Sequence, residues 1–323
     1  MHMVRLGILG CSEIAYRRFM PAAEKSDALK VIAVAEEFDK SKLKSFCQAY
    51  SLETEDSFEQ LISRPDLDAV YVPQPPALHY EWVKKALLKG KHVLVEKPST
   101  VSVSQTGELV RLAESRQLAL HENYMFQYHS QIKEIKAMLA DGMIGDVRLI
   151  RADFGFPMRA KNDFRYEKAL GGGALLDAGG YTAKLAAILL GDTVKTDAAS
   201  LCSSSGYDVD LYGSTSFSNE EGAVCQVGFG MDCFYRCSLE VWGSKGRLST
   251  NRIFTAPDDF QPSVKVETSE GEEVIGLKAD SHFLHSIEMF LSEITDPVLR
   301  EKMYREIMLQ AKLMEEMKRL GTN

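Results

Sequence analysis

Lys97 stands in the run His92-Val93-Leu94-Val95-Glu96-Lys97-Pro98, where an apolar segment stops on a charged pair and a proline. Val93 to Val95 have the continuous apolar character of a parallel strand buried on both faces. Glu96 and Lys97 then fall at its carboxyl end, the edge where open α/β sheets bind ligands. Pro98 restricts Lys97 to extended geometry, so its ammonium is held where it could stabilise negative charge developing on an oxygen. Asp177 and Tyr181 lie four residues apart in the apolar run Ala174 to Leu190, on one face of a helix. An acid and a phenol there need a partner or a use, because unpaired polar groups are costly to bury. A satisfied structural Asp–Tyr pair or a partly exposed face fits that spacing as well as a functional pair does.

A second set of residues has the pattern of a dinucleotide site. Gly7-Ile8-Leu9-Gly10-Cys11-Ser12-Glu13-Ile14-Ala15 follows a strand and opens a helix. Gly10 suits the tight turn, Ser12 takes the position where the backbone approaches a pyrophosphate, and Ala15 fills the helix-packing position. Glu36 ends the next strand, about twenty residues on. A carboxylate there accepts from both ribose hydroxyls of NAD and repels a 2′-phosphate, and neither Glu37 nor Phe38 offers a cation. NAD is therefore expected ahead of NADP. Tyr71-Val72-Pro73-Gln74-Pro75-Pro76 closes a third strand with a stiff ledge, either a simple rigid turn or a surface against the cofactor.

The elements that must position these residues alternate through the first 120 positions. Strands are predicted at 4–9, 31–35, 69–72, 93–95 and 118–120, with helices at 13–25, 39–50, 78–89 and 102–116. Repeated βα units imply an α/β Rossmann domain, a doubly wound parallel sheet, over residues 1–122. Beyond Met125 the rhythm changes. After a helix at 131–140, a strand at 147–156 and the helix at 174–190 come runs of strands near 196–203, 210–217, 223–229, 234–241, 246–250 and 263–267. Two closing helices follow. Residues 123–323 thus read as an α+β domain with a largely antiparallel sheet, its last helices free to pack back on the first domain. Gly171-Gly172-Gly173 is not a P-loop, lacking the Gly-Lys-Ser/Thr that would follow, and serves a tight entry into the helix. The loop before it holds Arg159, Lys161 and Arg165. These could meet phosphates of a substrate or form a solvated basic loop.

Bulk properties narrow the classes. The 323 residues are long for one core, and 45% hydrophobic with 26% charged is ordinary for a globular protein. A net charge of −8 argues against a nucleic-acid partner. Six scattered cysteines without a companion histidine cluster give no metal site, and reduced thiols fit a cytoplasmic protein. Met1-His2-Met3 runs directly into a strand, leaving no room for a signal peptide, and no apolar run is read as long enough for a membrane span.

Taken together, Gly10-Cys11-Ser12-Glu13-Ile14-Ala15, His79, Glu96-Lys97-Pro98, Glu122-Asn123 and Gly171-Gly172-Gly173-Ala174-Leu175-Leu176-Asp177 resemble the Gfo/Idh/MocA oxidoreductases. Ile14-Ala15-Tyr16-Arg17-Arg18, Glu122-Asn123-Tyr124-Met125-Phe126 and Asn251-Arg252-Ile253-Phe254-Thr255 are similar to the nucleotide-sugar 3-ketoreductases of that family. Tyr181, where inositol dehydrogenases carry histidine, fits that subgroup and the dihydrodiol dehydrogenases.

The resemblance implies hydride transfer between a nicotinamide and a hydroxyl or keto carbon of a sugar or nucleotide sugar. It implies Tyr181 as proton donor or acceptor, assisted by Lys97, with Asp177 orienting the site or a substrate hydroxyl. Gly10, Ser12, Glu13, Ile14, Glu36, Pro73, His79, Glu96, Lys97, Asn123 and Arg165 would hold the cofactor. Arg159 and Lys161, with Lys97, Asp177 and Tyr181, would hold the substrate. Copies would pair as a homodimer or homotetramer through the C-terminal sheet. Two other readings of the same fold are a glycosidase that retains NAD and a regulator that binds cofactor without chemistry.

Overall fold

The computed structural model describes residues 3–322, so Met1 and His2, read above as leading into the first strand, lie outside the described residues. The chain forms two compact units: Met1–Asn123 with Phe283–Ala311, and Tyr124–His282 with Lys312–Asn323. The first thus takes in a C-terminal segment as well as the N-terminal one.

Strands β1 (Val4–Leu9), β2 (Leu29–Ala35), β3 (Glu53–Glu55), β4 (Ala69–Val72), β5 (His92–Glu96) and β6 (Leu120–Asn123) form the sheet of the first unit. They are parallel, in the order β3-β2-β1-β4-β5-β6, so the order reverses between β1 and β4. All of β4, and Val93 to Val95 of β5, are buried, as the continuous apolar runs require. The connecting helices are α1 (Met20–Ala23), α2 (Ser41–Tyr50), α3 (Phe58–Ser63), α4 (Pro76–Leu88) and α5 (Val103–Arg116). The helix expected over 13–25 forms over 13–23 and contains a π-turn, Ala15–Phe19, that runs into α1. Pro21 has no N–H to bond back along the helix, which accounts for a break in the regular pattern there. The short pieces β3 and α3 escape the sequence reading: β3 is a charged three-residue edge strand with no apolar alternation.

The second unit begins with α6 (Ser130–Ala140), β7 (Val147–Gly155) and α7 (Gly180–Leu190). Strands β8 (Lys195–Cys202), β9 (Tyr212–Ser218), β10 (Val224–Gly230), β11 (Arg236–Gly243), β12 (Gly246–Asn251), β13 (Ser263–Thr268) and β14 (Gly271–Gly276) complete its sheet. The order is β14-β13-β12-β11-β7-β10-β9-β8, antiparallel throughout except for the β7–β10 pair. Alternation is clear: Ile150, Ala152 and Phe154 of β7 and Cys237, Leu239 and Val241 of β11 are buried, while Arg151, Arg236 and Trp242 on the opposite face are exposed. Residues 168–190 prove long and apolar enough to span a membrane by length and composition alone, unlike the sequence reading. Its most apolar window is 72% buried inside the protein.

Helices α8 (His282–Thr295) and α9 (Pro297–Gly321) close the chain. Tyr304 and Ile307 of α9 join the core of the first unit beside Val110, Leu118 and Leu120.

Candidate active site

In the first unit, the β1 turn is held open by Gly10 at φ +113, a conformation that side chains with a Cβ rarely adopt. A Cβ placed there would lie 3.8 Å from both Gln74 Cγ and Glu36 Oε2, so these two residues flank the turn. Glu36 is buried and accepts three backbone N–H groups: Cys11 at 2.6 Å on one oxygen, and Phe38 at 2.8 Å and Asp39 at 3.2 Å on the other. Ser12 Oγ accepts from Ala15 N, while Glu13 is exposed and pairs with Arg17.

Gln74, which the sequence reading passed over, is 7% exposed, and neither its amide nitrogen nor its amide oxygen has a partner among the described residues. Leaving such a group unpaired costs roughly 1–3 kcal/mol. A buried orphan amide beside a glycine turn and a buried acid fits a site for a polar ligand such as a dinucleotide.

The end of β5 is built around Glu96. Tyr71 Oη and Asn123 Nδ2 each donate to Glu96 Oε1 at 2.6 Å, and burial pushes this carboxyl up despite those bonds and the adjacent Lys97. The β5–β6 register sets Glu96 opposite Asn123, so strand pairing brings the two together. Lys97 is half-buried, and the Lys97–Pro98 peptide is cis. Ser99 N donates to Glu122 Oε1 at 2.7 Å.

Two of the expected cofactor residues make hydrogen bonds within the protein. His79 is fully buried, with Nδ1 2.8 Å from the Pro98 carbonyl and Nε2 2.6 Å from the Gln74 carbonyl. It ties the end of β4 to the end of β5. Asn123 is 1% exposed, its amide engaged by Glu96 and by Ser286. It is a support for Glu96. Pro73 is also buried, at the end of β4.

In the second unit, a π-turn at Leu175–Gly179 leads into α7. Asp177 lies within that turn and Tyr181 in the first turn of α7. Such widened turns recur at functional sites. The Tyr181 ring is buried against Tyr124, Phe126, Phe154 and Phe254, with centroids 5.1–6.0 Å away, and its hydroxyl lies 3.6 Å from Met125 Sδ. Asp177 accepts from Arg165 Nε at 2.6 Å, and Arg165 Nη1 lies 3.1 Å from Asp163. Burial alone would lower the Arg165 pKa, but the Asp177 and Asp163 carboxylates overcome it and raise it.

The glycine run serves close approach: Gly173 has φ +115, and a Cβ on Gly172 would collide with the Arg165 carbonyl. Asp210 fixes the helix start, its carbonyl accepting Ala174 N at 2.8 Å and its carboxylate Leu175 N at 2.6 Å. No sequence signal singled it out, because it lies in a loop more than thirty residues away.

Arg159 and Lys161 are exposed, the former 5.4 Å from the Phe156 ring. A separate cavity of about 250 Å³ is lined by Tyr235, Arg236, Cys237, Asn251 and Arg252, with the Arg252 guanidinium 4.7 Å over the Tyr235 ring.

A Rossmann sheet in 3-2-1-4-5-6 order, with a glycine turn and an acid at the end of β2, defines a dinucleotide-binding oxidoreductase fold. Residues 4–124 match the family model for the Gfo/Idh/MocA oxidoreductase family with an NAD-binding Rossmann fold, and residues 132–249 match the Gfo/Idh/MocA C-terminal domain. The chain belongs to that family. It is 37% identical over 318 residues, 97% of this chain and 96% of the relative, to dTDP-3,4-didehydro-2,6-dideoxy-alpha-D-glucose 3-reductase of Saccharopolyspora spinosa. A 3-ketoreductase from Actinomadura kijaniata, solved with NADP and TDP-benzene, superposes with a TM-score of 0.93 at 36% identity, covering 99% of this chain and 98% of that one. Trans-1,2-dihydrobenzene-1,2-diol dehydrogenase of Xenopus tropicalis is 37% identical over 153 residues, 47% of this chain and 46% of the relative.

Proposed function

We propose that the protein is a 3-ketoreductase acting on a dTDP-linked deoxysugar, with NAD as the preferred cofactor. The observation that carries the reaction is similarity along the whole chain, in both units, to 3-reductases of dTDP-3,4-didehydro-2,6-dideoxy-α-D-glucose. Glu36 supports the cofactor preference, because its buried carboxylate would oppose a 2′-phosphate. The Actinomadura relative was solved with NADP, so the preference rests on Glu36 alone.

A bound nicotinamide cofactor would supply hydride to the carbonyl carbon, and with a proton on the carbonyl oxygen the products would be a hydroxyl and the oxidised cofactor. Tyr181 is the proton donor. Its ring is fixed by four aromatic neighbours, which limits where the hydroxyl can point. Lys97 stabilises charge developing on the oxygen. Asp177, oriented by Arg165, holds a substrate hydroxyl. Gly10, Ser12, Ile14, Glu36, Pro73 and Gln74 hold the cofactor, and Arg159 and Lys161 meet the diphosphate.

Initial rates of NADH and NADPH oxidation with dTDP-3,4-didehydro-2,6-dideoxy-α-D-glucose test the proposal, with free keto-sugars alongside. Turnover of the dTDP-sugar, faster with NADH, is expected, as is loss of that turnover in Lys97→Ala and Tyr181→Phe. Turnover of free sugars alone would sink the substrate assignment. A preference for NADPH would sink the role given to Glu36.

A further inference from the structure

A chain of buried hydrogen bonds runs through the first unit from the end of β5 to α8. Ser286 Oγ donates to Asn123 Oδ1 at 2.7 Å, His121 Nε2 lies 2.9 Å from Ser286 Oγ, and His121 Nδ1 lies 2.6 Å from Glu293 Oε1. At the other end, Asn123 Nδ2 and Tyr71 Oη converge on Glu96 Oε1. Every side chain in the chain is buried, with Glu293 at 0% and His121 and Ser286 at 1% exposed. At that depth an unmade bond is expensive, so the arrangement holds as a unit.

The direction of its protons follows from donor and acceptor chemistry. Glu96 Oε1 accepts from both Tyr71 and Asn123, so the nitrogen of the Asn123 amide faces Glu96 and its oxygen faces Ser286. The Ser286 proton is then committed to Asn123, and its oxygen must accept from His121 Nε2–H. Nδ1 and Glu293 share one further proton, as imidazolium with carboxylate or as a neutral pair. Either arrangement leaves Nε2 protonated and the orientation of Asn123 unchanged.

We propose that His121, Ser286 and Glu293 are positioning residues for the strand end that carries Lys97. They fix the Asn123 amide, and the amide fixes Glu96, the immediate neighbour of Lys97 along the chain. Ser286 and Glu293 come from α8, which lies outside both stretches matched by the family models, 4–124 and 132–249. The proposal rests on the reading of Lys97 as part of the reductase chemistry. A side chain that sets geometry at one remove acts on the chemical step more than on substrate binding.

The test compares His121→Phe with His121→Gln, assayed with dTDP-3,4-didehydro-2,6-dideoxy-α-D-glucose and both reduced cofactors. Glutamine restores a side-chain N–H near the Nε2 position and phenylalanine does not, while both lose the Nδ1 contact with Glu293. His121→Phe should melt a few degrees below His121→Gln, because it also leaves Ser286 Oγ without its donor. His121→Phe should lose roughly tenfold or more in kcat with KM little changed, and His121→Gln should stay within about threefold of wild type. Should His121→Phe fail to fold, Ser286→Ala takes its place. It should slow the wild-type protein but have little further effect in a Glu96→Ala background.

Equal rates in the two His121 variants would overturn the proposal, as would additive effects of Ser286→Ala and Glu96→Ala. Lys97→Ala run in parallel separates the two layers. A slow Lys97→Ala with unaffected His121 variants removes the positioning role and leaves the reductase reading intact. A normal Lys97→Ala removes both.

Discussion

Arg165 Nε donates to Asp177 Oδ2 across 2.6 Å, with the two side chains only 20% and 12% exposed. One residue comes from the basic loop and the other from the π-turn before α7, so the ion pair joins loop to helix. Arg165→Met takes the guanidinium from both Asp177 and Asp163 and should destabilise by about 2–3 kcal/mol, whereas Asp177→Ala leaves Arg165 its 3.1 Å contact with Asp163 and should cost less, about 1–2 kcal/mol. The double variant should lose less than the sum, by roughly 1–2 kcal/mol. Urea unfolding of all four proteins measures this, and strict additivity would mean that the pair contributes nothing.

Gln74 offers the opposite behaviour. Its amide is buried without a partner among the described residues, so Gln74→Met, similar in size and apolar, should leave the ligand-free protein as stable or more stable. The same change should weaken NADH binding by roughly five- to tenfold, the loss of about one hydrogen bond. Thermal melts without cofactor and fluorescence titrations with NADH give the two readings. Unchanged affinity would remove Gln74 from the cofactor site.

Gly10 and His79 show what the sequence could and could not reveal. The Rossmann strands were legible because burial on both faces leaves continuous apolar runs, and Gly10 and Glu36 because turn geometry and strand length fix their separation. The antiparallel sheet was legible through period-two alternation. β14 was not, since its residues are almost all exposed and Glu272 and Glu273 interrupt any apolar pattern. His79 was singled out by resemblance, but its part in joining strand ends depends on carbonyl groups at Gln74 and Pro98 that no side-chain pattern encodes. Asp210, Ser286 and Glu293 act across 35 to 172 residues of sequence, and polar residues of ordinary type at such distances leave no local trace.

Cofactor choice should follow Glu36. Phe38 is 67% exposed, so an arginine fits there at little cost, while removing Glu36 leaves the Cys11, Phe38 and Asp39 N–H groups to other partners. Glu36→Ala with Phe38→Arg should shift the ratio of kcat/KM for NADPH over NADH upward by roughly a hundredfold, equivalent to about 3 kcal/mol. Some loss of stability should accompany it. A ratio that does not move would mean that Glu36 serves only the backbone.

Acid should destabilise the first unit through His79. Burial lowers its pKa from 6.5 to about 4, although the Pro98 and Gln74 carbonyl contacts favour the protonated ring. The unfolded chain therefore binds more protons than the folded one between pH 6.5 and about 4, and stability rises with pH across that window. Acidification through it should cost roughly 3 kcal/mol from this residue. Unfolding free energies measured at pH 7 and at pH 4.5 should fall further apart in the wild type than in His79→Gln. Equal differences would place the acid sensitivity elsewhere, with half-buried His92, also lowered to about 4, the next candidate.

The substrate's diphosphate should find Arg159 and Lys161 rather than the cavity at Arg252. Both loop cations are exposed and no carboxylate pairs with either among the described residues, whereas Arg252 already lies over the Tyr235 ring. Neutralising two phosphate charges through solvent-exposed groups is worth about 1 kcal/mol per contact, and reversing the sign roughly doubles the loss. Arg159→Glu with Lys161→Glu should therefore raise KM for the dTDP-sugar by more than tenfold while sparing kcat and NADH affinity. Higher salt should weaken wild-type binding toward that of the variant, because exposed charges are screened. Arg252→Glu should have little effect on the same KM. If Arg252→Glu proves the more damaging change, the diphosphate belongs at the end of β12, and the loop cations form only a solvated surface.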